Sequence, residues 1–316
     1  MREAHLRYAP FARQDAYGPM GTYVPALEKM RLACVWLLTP LPLLKLLLSL
    51  VTLCSFAVVC TVGRLLPWAV QRRLMPLLAW LHVRVVLLCF GFLWIRRTRL
   101  AGSSAKSVCV VSNHVSWVDI LVFMAELFPS FVAKATIRKL PLVGVISEAM
   151  GCIYVERESR GAEGNGAAAL VRDRLLKRAQ DPASCPPLLL FPEGTTTNGK
   201  YLLPFKSGAF LTGAPVQPVL LRYRWRRFSP AWETISAARH FFFTFSQLYQ
   251  SLELVYLPVY EPNDAERADP ALYAAGVRAA MLAASGLEAS PLTLADKRAY
   301  QAALLEEWAA SKTKMA

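Results

Sequence analysis

The chain has 316 residues, 55% of them hydrophobic and only 18% charged, with 36 Lys and Arg against 22 Asp and Glu for a formal net charge of +14. The apolar residues concentrate before position 100, which points to membrane association, while the positive charge attracts polyanions without choosing among them. Seven cysteines, with no Cys-x-x-Cys pair and no neighbouring histidine at zinc-ligand spacing, indicate neither a metal site nor a disulfide framework and fit a reducing, cytosol-facing location.

Residues 1–30 mix Gly, Pro, Tyr and scattered charges without a period, and are read as a tail. The first apolar run starts only after Arg31, too deep for a secretory signal peptide. Residues 31–99 read as a membrane anchor. Leu46 to Gly63 is an uncharged run of eighteen residues closed by Arg64, which just reaches the length of a bilayer span. Met75 to Ile95 is a second apolar run, but His82 and Arg84 at its middle make a second lipid-exposed span costly. The expectation is one span, or a helical hairpin that dips into the interface and returns, with bends at Pro40, Pro42, Pro67 and Pro76. Basic residues are denser after Arg64 than before Arg31, so the following domain is expected on the cytoplasmic side.

From residue 100 to 316 the pattern becomes that of an α/β domain, a sheet flanked by helices. Strands are expected at Val108–Val111, Ser130–Ala133, Cys152–Val155, Leu188–Phe191, Val216–Leu221 and Leu252–Tyr260. Helices are expected at Ile120–Leu127, Gly166–Gln180, Pro270–Ser285 and Leu294–Ser311. The run from Arg222 to Phe228 interleaves arginines with aromatics, as nucleic-acid binders do, but beside an apolar anchor a membrane interface is the better reading and no nucleic acid is expected. His240 to Phe245, with four phenylalanines, fits an interfacial contact and a core segment equally.

The chemistry-bearing block is Asn113-His114-Val115-Ser116-Trp117-Val118-Asp119, where a strand hands over to a helix. Ser116 suits an N-cap, and a turn there lets the Asp119 carboxylate reach back to the His114 ring, fixing a tautomer and favouring the imidazolium. His114 then acts as a general base on a substrate hydroxyl, because no Ser or Cys sits on a nucleophile elbow. Taken alone, the block is equally a capping box beside an ordinary loop histidine.

A second block, Phe191 to Lys200, has the Gly-x-x-x-x-Gly-Lys spacing of a P-loop, yet Tyr201 follows where Ser or Thr must bind magnesium, and Pro204 breaks any helix. It is better read as a hydroxyl- and amide-rich turn that holds a phosphate without a metal, with Glu193 orienting the site or binding an acceptor hydroxyl. Gly151 to Arg157 is a strand that delivers an arginine fork suited to a phosphate, and Pro215 and Pro218 stiffen a strand expected to wall the pocket.

In their order, these four blocks resemble the glycerophospholipid acyltransferase family, which includes lysophosphatidic acid acyltransferases; the likeness covers roughly residues 100–260. The resemblance implies that His114 is the base and Asp119 its partner, and that Arg157, Glu193, Gly194, Thr195 and Thr196 line the phosphate site. The expectations that go with it are acyl-CoA as co-substrate, a lysophospholipid acceptor and a membrane setting; the endoplasmic reticulum is the expected location, and no metal is expected. Many members carry arginine directly after the Gly-Thr pair, whereas this chain has Thr196, Thr197 and Asn198. That form, with Phe131-Val132-Ala133-Lys134 and Leu140-Pro141-Leu142-Val143-Gly144, is similar to the branch acting on lysophosphatidylcholine or lysophosphatidylethanolamine. Lysophosphatidic acid or glycerol-3-phosphate acyl transfer, CoA-independent transacylation and non-catalytic lipid binding are the alternatives.

Overall fold

A computed structural model describes residues 6–103, 109–155 and 162–313. Helix α1 (Ala26–Leu37) leads into a hairpin of α2 (Leu41–Gly63) and α3 (Trp68–Cys89). Pro40 is the N-cap of α2 and Pro42 lies in its first turn, where the missing N–H costs nothing; Pro67 caps the return helix, and Pro76 is carried inside it. The 23 residues of α2 make it long and apolar enough to cross a membrane. Yet its Phe56, Ala57 and Cys60 are buried in one continuous core with Phe128, Ile146 and Met150 of the following domain. Leu43, Leu47, Leu50, Val51, Val58 and Val62 on its other faces stay exposed. The hairpin is therefore seated on the domain along one side.

Strand β1 (Ile95–Arg99) follows, then β2 (Cys109–Ser112), α4 (Val118–Leu127), β3 (Ser130–Lys134), α5 (Ala135–Arg138), α6 (Val143–Ala149) and β4 (Ile153–Val155). The chain continues through α7 (Ala162–Gln180), β5 (Leu188–Leu190), β6 (Tyr201–Leu202), β7 (Val216–Arg224), α8 (Ala237–Phe245) and β8 (Ser251–Tyr256). It ends with α9 (Asp264–Ala268), α10 (Pro270–Ser285), β9 (Glu288–Ala289) and α11 (Leu294–Thr313). Seven strands form one mixed sheet in the order β1-β8-β7-β2-β5-β3-β4. Only β7 and β8 pair antiparallel; β6 and β9 form a separate parallel pair.

Alternation along each strand decides which layer a side chain joins. Val110, Leu189, Val219 and Leu254 face the hairpin and α4, whereas Val111, Leu188, Leu220 and Val255 face α7 and α10. Both faces are covered, as a largely parallel sheet requires. In α8, His240, Phe243 and Phe245 are buried as a core segment requires, and Phe241 and Phe242 are exposed.

The expected boundary at 30 falls inside α1, and the one at 99 falls at the end of β1. Ile95–Arg99 is not the end of an anchor but the edge strand of the sheet, in register from Ile95↔Leu252 to Arg99↔Tyr256. Ile95 alone is buried in it, and its charges point outward as suits an edge. Residues before 30 are not a free tail either. Phe11 and Tyr17 are buried, and Arg13 donates to Glu233 (2.9 Å) and to the Ser229 carbonyl (3.0 Å) and pairs with Asp15. No period announces this segment because it runs as 3₁₀ turns and extended chain rather than as an amphipathic helix.

Candidate active site

β2 and β5 are parallel neighbours with Val111 opposite Leu190, so the turns that follow them leave the sheet side by side. His114 and Glu193 each lie three residues beyond that pair, and the register brings them together at the carboxyl ends of the strands. Glu193 is buried and bridges two backbone amides: Oε1 accepts from His114 N (2.8 Å) and Oε2 from Leu203 N (2.9 Å). Burial pushes its pKa up to about 8, against the two amides that favour the anion. With both oxygens committed to the main chain, Glu193 holds the two loops in place.

Asn113 is the last residue before the histidine, and its side chain takes over where β2 stops. Its Oδ1 accepts from Leu221 N (2.8 Å) and its Nδ2 donates to the Leu221 carbonyl (3.1 Å), so the turn is tied to β7. Two residues further along β7 and on the same face, Tyr223 donates to Asp119 Oδ1 at 2.5 Å. Burial, and then the Asp119 charge, raise the Tyr223 pKa well above 10, which keeps the phenol a donor.

Asp119 has no exposed surface, and its Oδ2 accepts three times, from Val115 N (2.7 Å), Ser116 N (2.9 Å) and His114 Nδ1 (2.8 Å). The expected fold-back thus forms, with a difference at the cap. Ser116 Oγ meets Val118 N at 3.3 Å, Trp117 is the residue that flanks the helix, and the carboxylate supplies the main tie to the turn. One carboxylate both shapes the loop and orients the ring. His114 stacks on Phe191, with ring centroids 4.0 Å apart and planes at 13°, and its side chain keeps 18% exposure. Nδ1 is a donor to Asp119, so Nε2 carries the lone pair, and it has no partner among the described residues. The arrangement can take a proton from a hydroxyl and return it.

The turn after Glu193 explains the failed P-loop. Thr197 N donates to the His114 carbonyl (2.9 Å), Asn198 N to the Pro10 carbonyl (2.8 Å), and Gly199 N to Thr197 Oγ1 (3.2 Å). Asn198 Nδ2 also donates to the carbonyls of Ala9 (2.7 Å) and Ala12 (2.9 Å), so the N-terminal segment buttresses this loop from behind. The backbone N–H groups of Thr195 and Thr196 have no partner among the described residues. Thr196 Oγ1 is turned away from the pocket, donating to the Trp232 carbonyl at 2.5 Å and accepting from Lys297 Nζ at 2.7 Å. Lys297 comes from α11, is buried, and also donates to the Thr196 carbonyl at 2.8 Å; burial lowers its pKa to about 8. Gly194 has φ of +69°, and a Cβ there would stand 2.7 Å from Lys206 Nζ. A lysine therefore lies against the Gly-Thr turn.

Of the expected site residues, His114, Asp119, Glu193, Gly194, Thr195 and Thr196 are brought together. Arg157 lies outside the described residues. The two pocket-wall prolines stand at different depths: Pro215 precedes Val216, which pairs with Cys109 at the start of β2 and so lies towards the far end of the strand from His114, whereas Pro218 pairs with Val111, three residues before His114. Their stiffness serves the strand, where β7 passes between β2 and β8. Tyr223, Asn198, Lys206 and Lys297 were not singled out by pattern; each acts through a contact that no local spacing encodes. His240 is a satisfied core histidine, accepting from Trp117 Nε1 (3.1 Å) and donating to the Pro230 carbonyl (2.9 Å), with burial lowering its pKa to about 4.

Comparison with known proteins agrees with this geometry. The acyltransferase family model matches residues 96–222. The chain is 40% identical over 353 aligned positions to the lysophospholipid acyltransferase LPEAT1 of Arabidopsis thaliana, covering 96% of this chain and 88% of that protein. It is 34% identical to a lysophosphatidylcholine acyltransferase of Drosophila melanogaster, over 82% of this chain and 50% of that longer protein. The crystal structure of the 1-acyl-sn-glycerophosphate acyltransferase PlsC from Thermotoga maritima superposes with a TM-score of 0.50 at 19% identity, covering 77% of this chain and 96% of that one, a likeness of fold. The mixed sheet, the His114–Asp119 turn at its carboxyl end and these relatives converge: the chain belongs to the acyltransferase family, on its lysophospholipid acyltransferase branch.

Proposed function

We propose that this enzyme transfers a fatty acyl chain from acyl-CoA to the free hydroxyl of lysophosphatidylcholine or lysophosphatidylethanolamine. The observation that carries the reading is the hydrogen-bonded series Tyr223–Asp119–His114, which ends in an Nε2 without a partner among the described residues; Thr197 N ties the Gly-Thr turn, with its Thr195 and Thr196 N–H groups, to the His114 carbonyl. His114 Nε2 takes the proton of the acceptor hydroxyl as its oxygen bonds to the thioester carbonyl carbon. The tetrahedral oxyanion is met by N–H donors, for which Thr195 and Thr196 are the available pair. Collapse breaks the C–S bond, and the imidazolium gives its proton to the CoA thiolate, so ester and free CoA leave and the histidine is restored.

The acceptor class follows from charge. Lys206 stands beside Gly194, and Thr196 occupies the position after Gly-Thr with its hydroxyl already committed. Fewer cations suit a phosphodiester better than the more highly charged terminal phosphate of lysophosphatidic acid. The exposed apolar faces of α1, α2 and α3 seat the enzyme in one leaflet, where both lipid substrates reside. The density of basic residues after Arg64 favours a cytosol-facing site, and we assign the enzyme to the endoplasmic reticulum.

The test is release of CoA by detergent-purified protein given oleoyl-CoA and, in turn, lysophosphatidylcholine, lysophosphatidylethanolamine, lysophosphatidic acid and glycerol 3-phosphate, with His114→Ala alongside. Release should need both acceptor and His114 and be fastest with the first two. Faster turnover of lysophosphatidic acid would overturn the acceptor assignment, and turnover retained in the variant would overturn the mechanism.

A further inference from the structure

A cavity of about 260 Å³ lies beside the turn of the hairpin, away from the candidate active site. It is walled by Trp68, Arg72 and Arg73 at the start of α3, by Phe128 at the end of α4, and by Arg178 and Pro187 ahead of β5. Pro187 immediately precedes Leu188, which pairs with Cys109 where β2 begins, whereas His114 follows the end of that strand. The ten residues of α4, roughly 15 Å of helix, run from beside His114 to Phe128. The cavity and the histidine are thus at opposite ends of the parallel strands.

Three arginines line the cavity and no aspartate or glutamate does. Arg178 is only 8% exposed; its Nη1 donates to the carbonyls of Pro182 (2.8 Å) and Cys185 (2.6 Å), and its Nε is buried without a partner. No carboxylate neutralises it among the described residues. A buried guanidinium with no carboxylate beside it is costly, and the planar fork of an arginine matches phosphate oxygens. Arg72 and Arg73 are exposed at the mouth, with no ion-pair partner among the described residues.

Exposed apolar side chains flank the lining residues along the hairpin: Leu65, at its turn, is 84% exposed and Leu77, next to Pro76, 62%. Trp68, which lines the cavity, donates its Nε1 to the Ala183 carbonyl at 2.7 Å. Tryptophan held in this way marks headgroup depth at a bilayer surface. We propose that this cavity binds the phosphate-bearing headgroup of an anionic phospholipid, with the phosphate on Arg72, Arg73 and Arg178 and the acyl chains along the exposed hairpin. Its volume lies below the ~300 Å³ at which small-molecule pockets begin, which suits a headgroup rather than a whole lipid. The exposed apolar hairpin alongside favours a lipid over free phosphate.

Isothermal titration of the full chain in detergent with dioctanoyl phosphatidylglycerol, dioctanoyl phosphatidylcholine and inorganic phosphate tests the site. Phosphatidylglycerol should bind at least tenfold more tightly than either of the others. Arg72→Gln with Arg73→Gln should weaken it tenfold or more, and Arg178→Gln likewise where that variant folds. Removing two exposed charges elsewhere, Arg172→Gln with Arg298→Gln, should change it less than twofold. Unchanged affinity in the Arg72/Arg73 variant, an equal loss in the Arg172/Arg298 control, or equal binding of inorganic phosphate would each overturn the proposal.

Discussion

Tyr223 Oη donates to Asp119 Oδ1 at 2.5 Å across 104 residues of sequence, and the acceptor is the carboxylate that holds the His114 ring. β7 therefore does more than fill the centre of the sheet. Its antiparallel pairing with β8 fixes Tyr223 opposite Leu252, and Asn113 clamps the strand at Leu221, so the phenol is delivered by a rigid element. A hydrogen bond to a charged group contributes about 1.5–3 kcal/mol. Tyr223→Phe should lower kcat roughly 10- to 100-fold with KM for the acceptor unchanged, since the phenol touches no substrate. A raised KM with kcat intact would show instead that Tyr223 binds lipid.

Much of this site was legible and some of it was not, for physical reasons. The His114–Asp119 contact is local, set by a strand-to-helix turn whose geometry the spacing encodes. The sheet followed from β-branched runs, and α10 was bounded correctly at Pro270 and Ser285 by its proline start and the glycine that follows. Tyr223 was hidden inside an arginine-rich run that reads as interface, because alternation shows which face a residue takes and not what lies on it. β1 escapes pattern reading because an edge strand carrying three arginines looks like the charged end of an apolar helix. The N-terminal segment reads as a tail because its order comes from single side chains, Asn198 and Glu233, reached through tertiary structure.

His114 and Asp119 should separate in stability though both abolish activity. His114→Ala removes a partly exposed ring and should cut turnover by at least about a thousandfold while the melting temperature stays within a few degrees. Asp119→Asn loses the same activity but also sets an amide against the N–H groups of Val115 and Ser116. A buried donor left unsatisfied costs ~1–3 kcal/mol, so this variant should melt measurably lower. Equal melting temperatures would mean that the carboxylate does not shape the turn.

Glu193 gives the fold a pH dependence with a definite sign. Its folded pKa of about 8 stands above the ordinary carboxyl value of 4.5, so the folded state holds a proton that the unfolded state releases. Stability from this group is greatest below pH ~4.5, falls as pH rises through that window, and is lost by about pH 8, with a limit of order 3–5 kcal/mol. Glu193→Gln should therefore be destabilised relative to the native chain near pH 5 and less so near pH 9, as read from denaturant midpoints. Parallel curves across that range would show that Glu193 is ionised throughout. Activity should fall in the same variant, because one of the amides of His114 and Leu203 then faces an NH₂ group.

The buttress behind the Gly-Thr turn can be removed without touching the chemistry. Asn198→Ala deletes the two hydrogen bonds to the carbonyls of Ala9 and Ala12. The loss should be about 1–3 kcal/mol, concentrated where Phe11 and Arg13 dock. Trypsin should then cut at Arg13 at least several-fold faster than in the native chain, where that guanidinium is buried against Glu233. Because the same segment supports the loop that carries Thr195 and Thr196, CoA release should drop as cleavage proceeds. Rapid cleavage with full activity would show that the segment packs on the site without supporting it.

The hairpin offers the clearest contrast between its two sides. Val58 and Leu47 are 63% and 59% exposed on α2, whereas Phe56 and Cys60 are buried against the domain. A charge placed at the hydrocarbon level opposes insertion by ~2.5–3.5 kcal/mol at the centre of a span and less near the interface. Val58→Lys and Leu47→Lys should leave the melting temperature in detergent unchanged yet move the protein from the vesicle-bound to the soluble fraction in flotation. Cys60→Lys should do the reverse, lowering the melting temperature because it buries an unpaired cation in the core shared by hairpin and domain. Were Val58→Lys to unfold the protein in detergent, that face would be packed on protein and the seat of the hairpin in the leaflet would have to be turned over.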